Sequence, residues 1–174
     1  MKLHVLTAIT RYGNLGEIAA SLIRSHWKGV ELVWHWRVDY DRTAVGGQAL
    51  KNAMLDEIAD GWVWILDDDN LVHPGFCQAL ITTLAACPAA RMLVGAQHTA
   101  GGVRAIGRHM LRASLVDAAQ VIVRRDAIGD RRIPEHYCGD GEWIEAIARS
   151  LGSHEIAYLP GVVIHYNALR GGVA

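Results

Sequence analysis

Trp62-Val63-Trp64-Ile65-Leu66-Asp67-Asp68-Asp69-Asn70 is the stretch whose reading decides the fold. Its first five residues are apolar, aromatic or β-branched, the pattern of a buried strand, and three consecutive carboxylates follow without a spacer. Like charges crowded at one strand end repel each other and lose solvation if partly buried, so the arrangement makes best sense around a shared cation. Oxygen-only donors select a hard ion such as Mg²⁺ or Mn²⁺ over zinc. The competing reading is a solvated acidic turn that caps the next helix. Trp62 and Trp64 alternate onto one face of the strand and belong to the core.

Two further strands are expected ahead of this one. Leu3 to Ile9 reads as the first, with Thr10 to Asn14 as its exit loop and Asn14 as a cap for a helix in which Leu15, Ile18, Ala19, Leu22 and Ile23 recur at helical spacing and which stops at Gly29. Val30 to Val38 is the second, ending at Val38-Asp39-Tyr40-Asp41. After Gly46-Gly47, Leu50, Met54, Leu55 and Ile58 mark an amphipathic helix that ends at Gly61. Pro74 opens a helix with Leu80, Ile81 and Leu84 inward, and Arg91 to Gln97 is a fourth strand. This alternation predicts parallel βαβ units, whose ligands sit beyond the carboxyl ends of the strands. The loops starting at Thr10, Asp39 and Asp67 therefore belong on one rim.

Beyond that point the pattern loosens. His98 to Arg112 reads as a mobile loop over the rim, and Ala118 to Arg124 regains strand character. Gly139 to Leu151 reads as a helix with Trp143 packed inward, and Ile156–Leu159 and Val162–His165 as two short strands broken by Pro160-Gly161. The tail Gly171–Ala174 is expected to fray.

At 174 residues, 51% hydrophobic and 20% charged with a formal net charge of −1, the chain reads as one soluble globular domain spanning residues 1–174. That balance gives no electrostatic case for nucleic acid. Arg104, Arg108, Arg112, Arg124, Arg125, Arg131 and Arg132 nevertheless crowd one stretch, as either a solvated face or an anion-binding one. Cys77, Cys87 and Cys138 form no C-x-x-C pair, which argues against a disulfide framework or structural zinc and fits a reducing compartment. No segment approaches the ~20 apolar residues of a membrane span or a signal peptide's pattern, so a cytoplasmic location is expected.

In this order the pieces resemble the GT-A glycosyltransferases, most closely glycosyltransferase family 2, over nearly the whole sequence. The resemblance is carried by the Thr/Arg-containing loop after the first strand, by Asp39, and by the helix Gln48-Ala49-Leu50-Lys51-Asn52-Ala53 ahead of the third strand. It continues in Ile65-Leu66-Asp67-Asp68-Asp69, similar to the family's Leu-Asp-x-Asp motif, in Cys138-Gly139-Asp140-Gly141-Glu142-Trp143, similar to its catalytic-base motif, and in Val163-Ile164-His165-Tyr166, similar to a late strand that ends in a metal-binding His.

The resemblance implies a single GT-A-like (Rossmann-like) α/β domain with a mostly parallel central sheet flanked by helices. It implies a metal-dependent transferase that moves a sugar from a nucleotide-diphosphate donor, by family frequency a UDP-sugar, to an acceptor hydroxyl with inversion. On this reading Thr7, Ala8 and Arg11 line the nucleotide pocket, Asp39 contacts the base or ribose, and Asn52 and Asp68 lie on the nucleotide-sugar side. Asp67 serves the ribose or metal shell, Asp69 holds Mn²⁺ or Mg²⁺, and His165 completes the coordination sphere. Asp140 is the implied base, with Glu142 in reserve.

The chemistry asks for such groups. A leaving nucleoside diphosphate gathers negative charge that a cation can stabilise, and an acceptor hydroxyl needs a base beside it as it attacks. Bland readings stand beside these: Asp140 as a helix cap, Glu142 as a first-turn acid complementing the helix dipole, His165 as a bystander. The family's motif often has an acid where this chain has Gly139. No Gln-x-x-Arg-Trp follows, which argues against a processive polysaccharide synthase. The chain is short for the family, which implies a small acceptor, or a homo-oligomer or membrane-proximal partner that completes the site.

Two other functions compete. A sugar-phosphate nucleotidyltransferase shares the fold and the metal need, but the loop Thr10 to Gly16 is sparse in glycine for it. A catalytically silent sugar-nucleotide binder would carry the same residues without turnover. A phosphoacceptor receiver domain needs a late lysine, whereas the lysines are Lys2, Lys28 and Lys51, and no P-loop motif is present.

Overall fold

The computed structural model describes residues 1–40 and 47–170. Asp41, placed above at the end of the second strand, Gly46, placed ahead of the second helix, and the tail Gly171–Ala174 lie outside the described residues.

The three β-branched and aromatic runs of the first third form strands β1 (Lys2–Ile9), β2 (Glu31–Val38) and β3 (Trp62–Ile65). β1 lies between the other two and parallel to both, with Leu6 opposite His35 on one side and Ile65 on the other. Helix α1 (Leu15–Arg24) connects β1 to β2, and α2 (Gln48–Asp56) leads into β3. Both helices stop short of the glycines expected to end them: α1 closes at Ser25, ahead of Gly29, and α2 at Glu57, ahead of Gly61.

After β3 come a two-residue strand β4 (Leu71–Val72), helix α3 (Phe76–Ala86), β5 (Met92–Thr99) and β6 (Gly102–Arg104). The chain ends with β7 (Val121–Arg124), the short helix α4 (Arg125–Ile128), α5 (Gly139–Ser150) and β8 (Ile156–His165). The sheet order is β2-β1-β3-β7-β5-β8-β4, with β6 paired to β5.

This corrects the expectation of a mostly parallel sheet. β7 runs antiparallel between β3 and β5, β4 pairs antiparallel with β8, and β6 folds back on β5, so the sheet is mixed. Apolar periodicity marks a strand without marking its direction. β7 follows a long excursion and a 3₁₀ turn at Ala118–Gln120 instead of a crossover helix, and so it enters the sheet reversed.

Two other expectations change. The stretch read as a mobile loop begins with a hairpin, in which Thr99 pairs with Gly102 and Gly102 takes φ +111° to turn the chain. The two short strands around Pro160-Gly161 are one strand, β8, which stays paired with β5 across a register shift; Gly161, at φ +78°, lets the extra residues bulge out.

Each face of the sheet carries its own core. Trp62, Trp64 and Leu66 pack with Ile18 and Leu22 of α1 and Phe76 and Leu80 of α3, where Trp64 stacks on Phe76 at 4.5 Å between ring centroids. Val63 and Ile65 face the other way, onto Met54 and Leu55 of α2 and Trp143, Ile144 and Ile147 of α5. The period-two alternation of β3 therefore assigns α1 and α3 to one face, α2 and α5 to the other. No helix among the described residues is long and apolar enough to cross a membrane.

Gly95 sits where β5 meets β8 most closely, and a Cβ there would overlap the Val163 side chain. Gly95→Ala is expected to destabilise the fold by about 1–3 kcal/mol, whereas Gly13→Ala, with open space around it, is expected to stay within about 0.5 kcal/mol. Urea unfolding of the two variants checks the difference.

Candidate functional site

The loops that leave β1 and β3 meet through one carboxylate. Asp68 Oδ2 accepts from the Thr10 N–H at 2.6 Å, the Thr10 hydroxyl at 2.9 Å and the Arg11 N–H at 2.6 Å. Its Oδ1 accepts from the Arg11 guanidinium at 2.6 Å. Asp68 is buried, so these donors replace its water. The backbone around it is held too, since Asn14 Nδ2 donates to the Asp68 carbonyl at 2.8 Å and the Leu169 carbonyl at 3.3 Å. Asn14 therefore ties loops together, and its side chain makes no capping bond to α1.

Asp69 lies beside the same guanidinium, 3.4 Å from Arg11 Nη1. The Asn167 amide, oriented with its NH₂ toward the site, donates to Asp69 Oδ2 at 3.2 Å. Burial pushes the Asp69 carboxyl above the usual range, the charge of Asp67 adds to it, and Arg11 opposes. Asp69 is thus short of positive charge.

Asp67 turns to the α2 side, where Lys51 Nζ stands 2.6 Å from its Oδ1. The Lys51 side chain is only 3% exposed, while Asp67 keeps 35%. Burial works against the Lys51 ammonium, yet Asp67, with Asp140 and Asp117 farther off, outweighs it and holds its pKa above that of an ordinary lysine. The carboxylates respond in turn. Asp140, in the first turn of α5, is pushed up by burial and by Asp67, with Lys51 opposing, and its Oδ2 accepts from the Ala118 N–H at 3.4 Å. Asp117 is pushed up to about 7, by burial first and then by Asp67.

The two glycines that flank Asp140 have a steric reason. A Cβ on Gly139 would overlap the Pro134 carbonyl, and one on Gly141 the Ala113 carbonyl. The acid that the family motif places before its Asp has no room here. α5 starts against two other backbones, and this close fit places Asp140 beside the Asp117 turn.

The remaining expected residues divide. Ala8 is buried at the end of β1, where a Cβ on Gly47 would overlap it, so the start of α2 is packed onto that strand end. Thr7 is fully buried, and its hydroxyl accepts from Trp34 Nε1 at 3.0 Å. Asp39 is buried at the end of β2, with its N–H on the Ile9 carbonyl at 2.9 Å. Asn52 makes a reciprocal pair with the backbone of Ile133, donating at 2.9 Å and accepting at 2.8 Å. Glu142 points to the exposed side of α5, with His136 Nε2 at 3.2 Å. His165 gathers with His73 and His98, at 5.4 and 5.7 Å between ring centroids, and burial and these two histidines lower its pKa. The structure thus brings together Asp67, Asp68, Asp69, Arg11 and Asp140, turns Glu142 toward solvent, and puts His165 at the end of β8 opposite Leu71, two residues past Asp69. Trp143 packs in the core beneath.

Two residues of the cluster were not anticipated. Lys51 had a signal, since it precedes Met54, Leu55 and Ile58 at i+3, i+4 and i+7 and so lies on the buried stripe of α2. Asp117 had a weaker one, the Asp-x-x-Gln pattern that here forms a capping box over Ala118–Gln120. Trp64 of β3 holds that turn in place by donating to the Ala119 carbonyl at 2.8 Å.

Among the described residues no group of three or more His, Cys, Asp or Glu is arranged as a metal cage. Magnesium in nucleotide sites needs less, one or two carboxylates with waters and substrate phosphates. Asp69 and the Asp67 oxygen that Lys51 leaves over fit that donor set.

The sheet order, the acidic end of β3 and the Asp140 helix can be set against solved structures. Residues 1–349 of S. aureus TarS bound to UDP match with a TM-score of 0.73 at 14% identity, over 95% of this chain and 60% of that one. The same protein with UDP-GlcNAc matches at 0.68 and 13%, over 95% and 58%. The chain has the fold of the GT-A glycosyltransferases. The catalytic domain of Drosophila β1,4-galactosyltransferase 7 in complex with xylobiose agrees at a TM-score of 0.57 and 15% identity, over 92% of this chain and 66% of that one. The chain spans about 60% of the length of the TarS 1–349 structures. No family model and no curated protein sequence matches this chain.

Asp68→Ala leaves two backbone N–H groups and a guanidinium without their acceptor, and is expected to cost about 3 kcal/mol in urea unfolding. Asp117 sets a pH dependence. Its folded pKa, about 7, lies above its ordinary value of 3.8, so the stability it contributes is complete below about pH 4 and lost as pH rises through 7. Without divalent cations, Asp117→Asn is expected to flatten the fall in melting temperature between those pH values.

Proposed function

We propose that this chain is the donor-binding and catalytic part of a glycosyltransferase that moves a sugar from a nucleotide-diphosphate donor to an acceptor hydroxyl. The observation that carries the reading is the convergence of Asp67, Asp69 and Asp140 on one rim, with Asp67 and Asp140 both coupled to the buried Lys51. The TarS complexes hold UDP and UDP-GlcNAc in a domain of this fold, which supports a UDP-sugar as donor.

In this reading the nucleotide lies over the ends of β1 and β2, against Ala8, Arg11 and Asp39. Arg11, already bonded to Asp68, keeps part of its guanidinium exposed and faces the phosphates from a fixed position. Asp69, with Asp67, holds Mn²⁺ or Mg²⁺, which supplies positive charge to the departing diphosphate. Asp140 takes the proton of the acceptor hydroxyl as that oxygen attacks the anomeric carbon from the side opposite the leaving group, which inverts the configuration. Its raised affinity for protons suits a base. Glu142 takes no part, because it stands toward solvent with His136, and His165, opposite Leu71 at the end of β8, would complete the coordination sphere.

Nucleotide release from a panel of sugar donors, with and without Mn²⁺, tests this. Release that needs the ion is expected, with Asp140→Asn slower by about 10²–10⁴-fold, Asp69→Ala losing the response to the ion, and Glu142→Gln within about twofold of wild type. Full turnover in Asp140→Asn removes the base, and full ion-dependent turnover in Asp69→Ala removes the ligand. Pyrophosphate formation from nucleoside triphosphate and sugar phosphate would make the chain a nucleotidyltransferase instead, and donor binding without turnover a silent binder.

A further inference from the structure

The seven arginines crowded in the second half of the sequence part ways in the fold. Arg124 pairs with Asp126 and Arg132 with Asp56. Arg125 bonds the carbonyls of Ile58 and Gly129, Arg131 those of Ala127 and Ile128, and Arg104 the Gln120 side chain. Arg108 makes one long bond, 3.4 Å, to the Leu151 carbonyl, and Arg112 makes no side-chain bond or ion pair among the described residues.

These last two, with His109 and Arg149, line an open groove of about 770 Å³ between the 107–112 segment and the outer side of α5. The counter-charge in its wall is Glu145, and that carboxylate is already engaged by the Ala113 N–H at 3.0 Å and by Arg149 at 2.6 Å. Three guanidiniums against one satisfied carboxylate leave a surplus of positive charge in a concave site. Guanidinium forks match phosphate oxygens in pairs.

We propose that this groove binds a soluble ligand carrying two or more phosphate groups. A membrane surface fits it less well: Leu111 in its wall is buried and the other lining residues are polar, so nothing there would insert among acyl chains. The site is separate from the donor rim. Glu145 lies five residues beyond Asp140, roughly 7–8 Å along the axis of α5, and none of Arg11, Asp67, Asp69 and Asp140 lines the groove. The proposal does not depend on the transfer reading.

Calorimetric titration with tripolyphosphate in the absence of divalent cations tests it, with UDP titrated in parallel as a report on the other site. Saturable binding by the wild type is expected, about tenfold or more weaker in Arg112→Glu and in Arg149→Glu, intermediate in Arg112→Lys, and weakened by salt. UDP binding should be unchanged in all three variants and the melting temperature in the two Arg112 variants, whose side chain is exposed, whereas Arg149→Glu also breaks the Glu145 ion pair on α5 and is expected to lower the melting temperature slightly. Absence of saturable binding overturns the proposal, as does binding that the variants leave intact, which would place the anion at Arg11. Capture by phosphatidylglycerol vesicles without tripolyphosphate binding overturns it too, and would make the patch a membrane contact.

Discussion

The structure depends on a carboxylate that is itself no free ligand. In the sheet β1 is flanked by β2 and β3, and the chain leaves β1 for β2 in one direction and enters β3 in the other. Where the connections diverge, a parallel sheet opens a crevice at its carboxyl edge. Asp68 spans that crevice, taking donors from Thr10 and Arg11 on the far side. A buried anion is costly unless its solvation is replaced, and once replaced its bonds are difficult to exchange. The middle Asp therefore fixes the two loops, and its neighbours in sequence are presented from a rigid turn.

Each of those neighbours then meets a different cation. Asp67 meets Lys51 on the α2 side and Asp69 meets Arg11 on the β1 side. Lys51 is the more consequential, because it is nearly inaccessible and answers to Asp67, Asp140 and Asp117 together. Removing any one of those acids changes the charge felt by the others. Asp117 lies well inside this field, and burial together with the charge of Asp67 pushes its carboxyl up to about 7.

Much of this was legible in the residues. β-Branched and aromatic runs marked β1, β2 and β3, and the 3.6-residue spacing marked α1 and α5. The acids at Asp39, Asp67 and Asp140 fell on strand ends or a helix start, where physical argument alone would look. What was not legible had definite causes. Strand direction is absent from an alternation pattern, so β7 was placed in the sheet without its sense. Pro160-Gly161 looks like a break, yet β8 crosses it because a bulge lets pairing with β5 resume at Val162. Lys51 lay on an apolar stripe, but a charge there is unusual enough that only its partner, 16 residues on in sequence, explains it. Asn52 looked like a ligand-facing amide, whereas its hydrogen-bonding capacity is taken up in part by Ile133.

That last pair of bonds has a mechanical meaning. Asn52 grips the strand of chain that leads into α5, and the next residue back along α2 is Lys51. One rigid helix thus holds the acidic turn of β3 through its ammonium and the approach to Asp140 through its amide. Asp67 and Asp140 come from segments more than seventy residues apart, yet they are jaws of a single vise whose spindle is α2. A change that tilts this helix would open both jaws at once, so the spacing between the two carboxylates depends on α2 as well as on the segments that carry them.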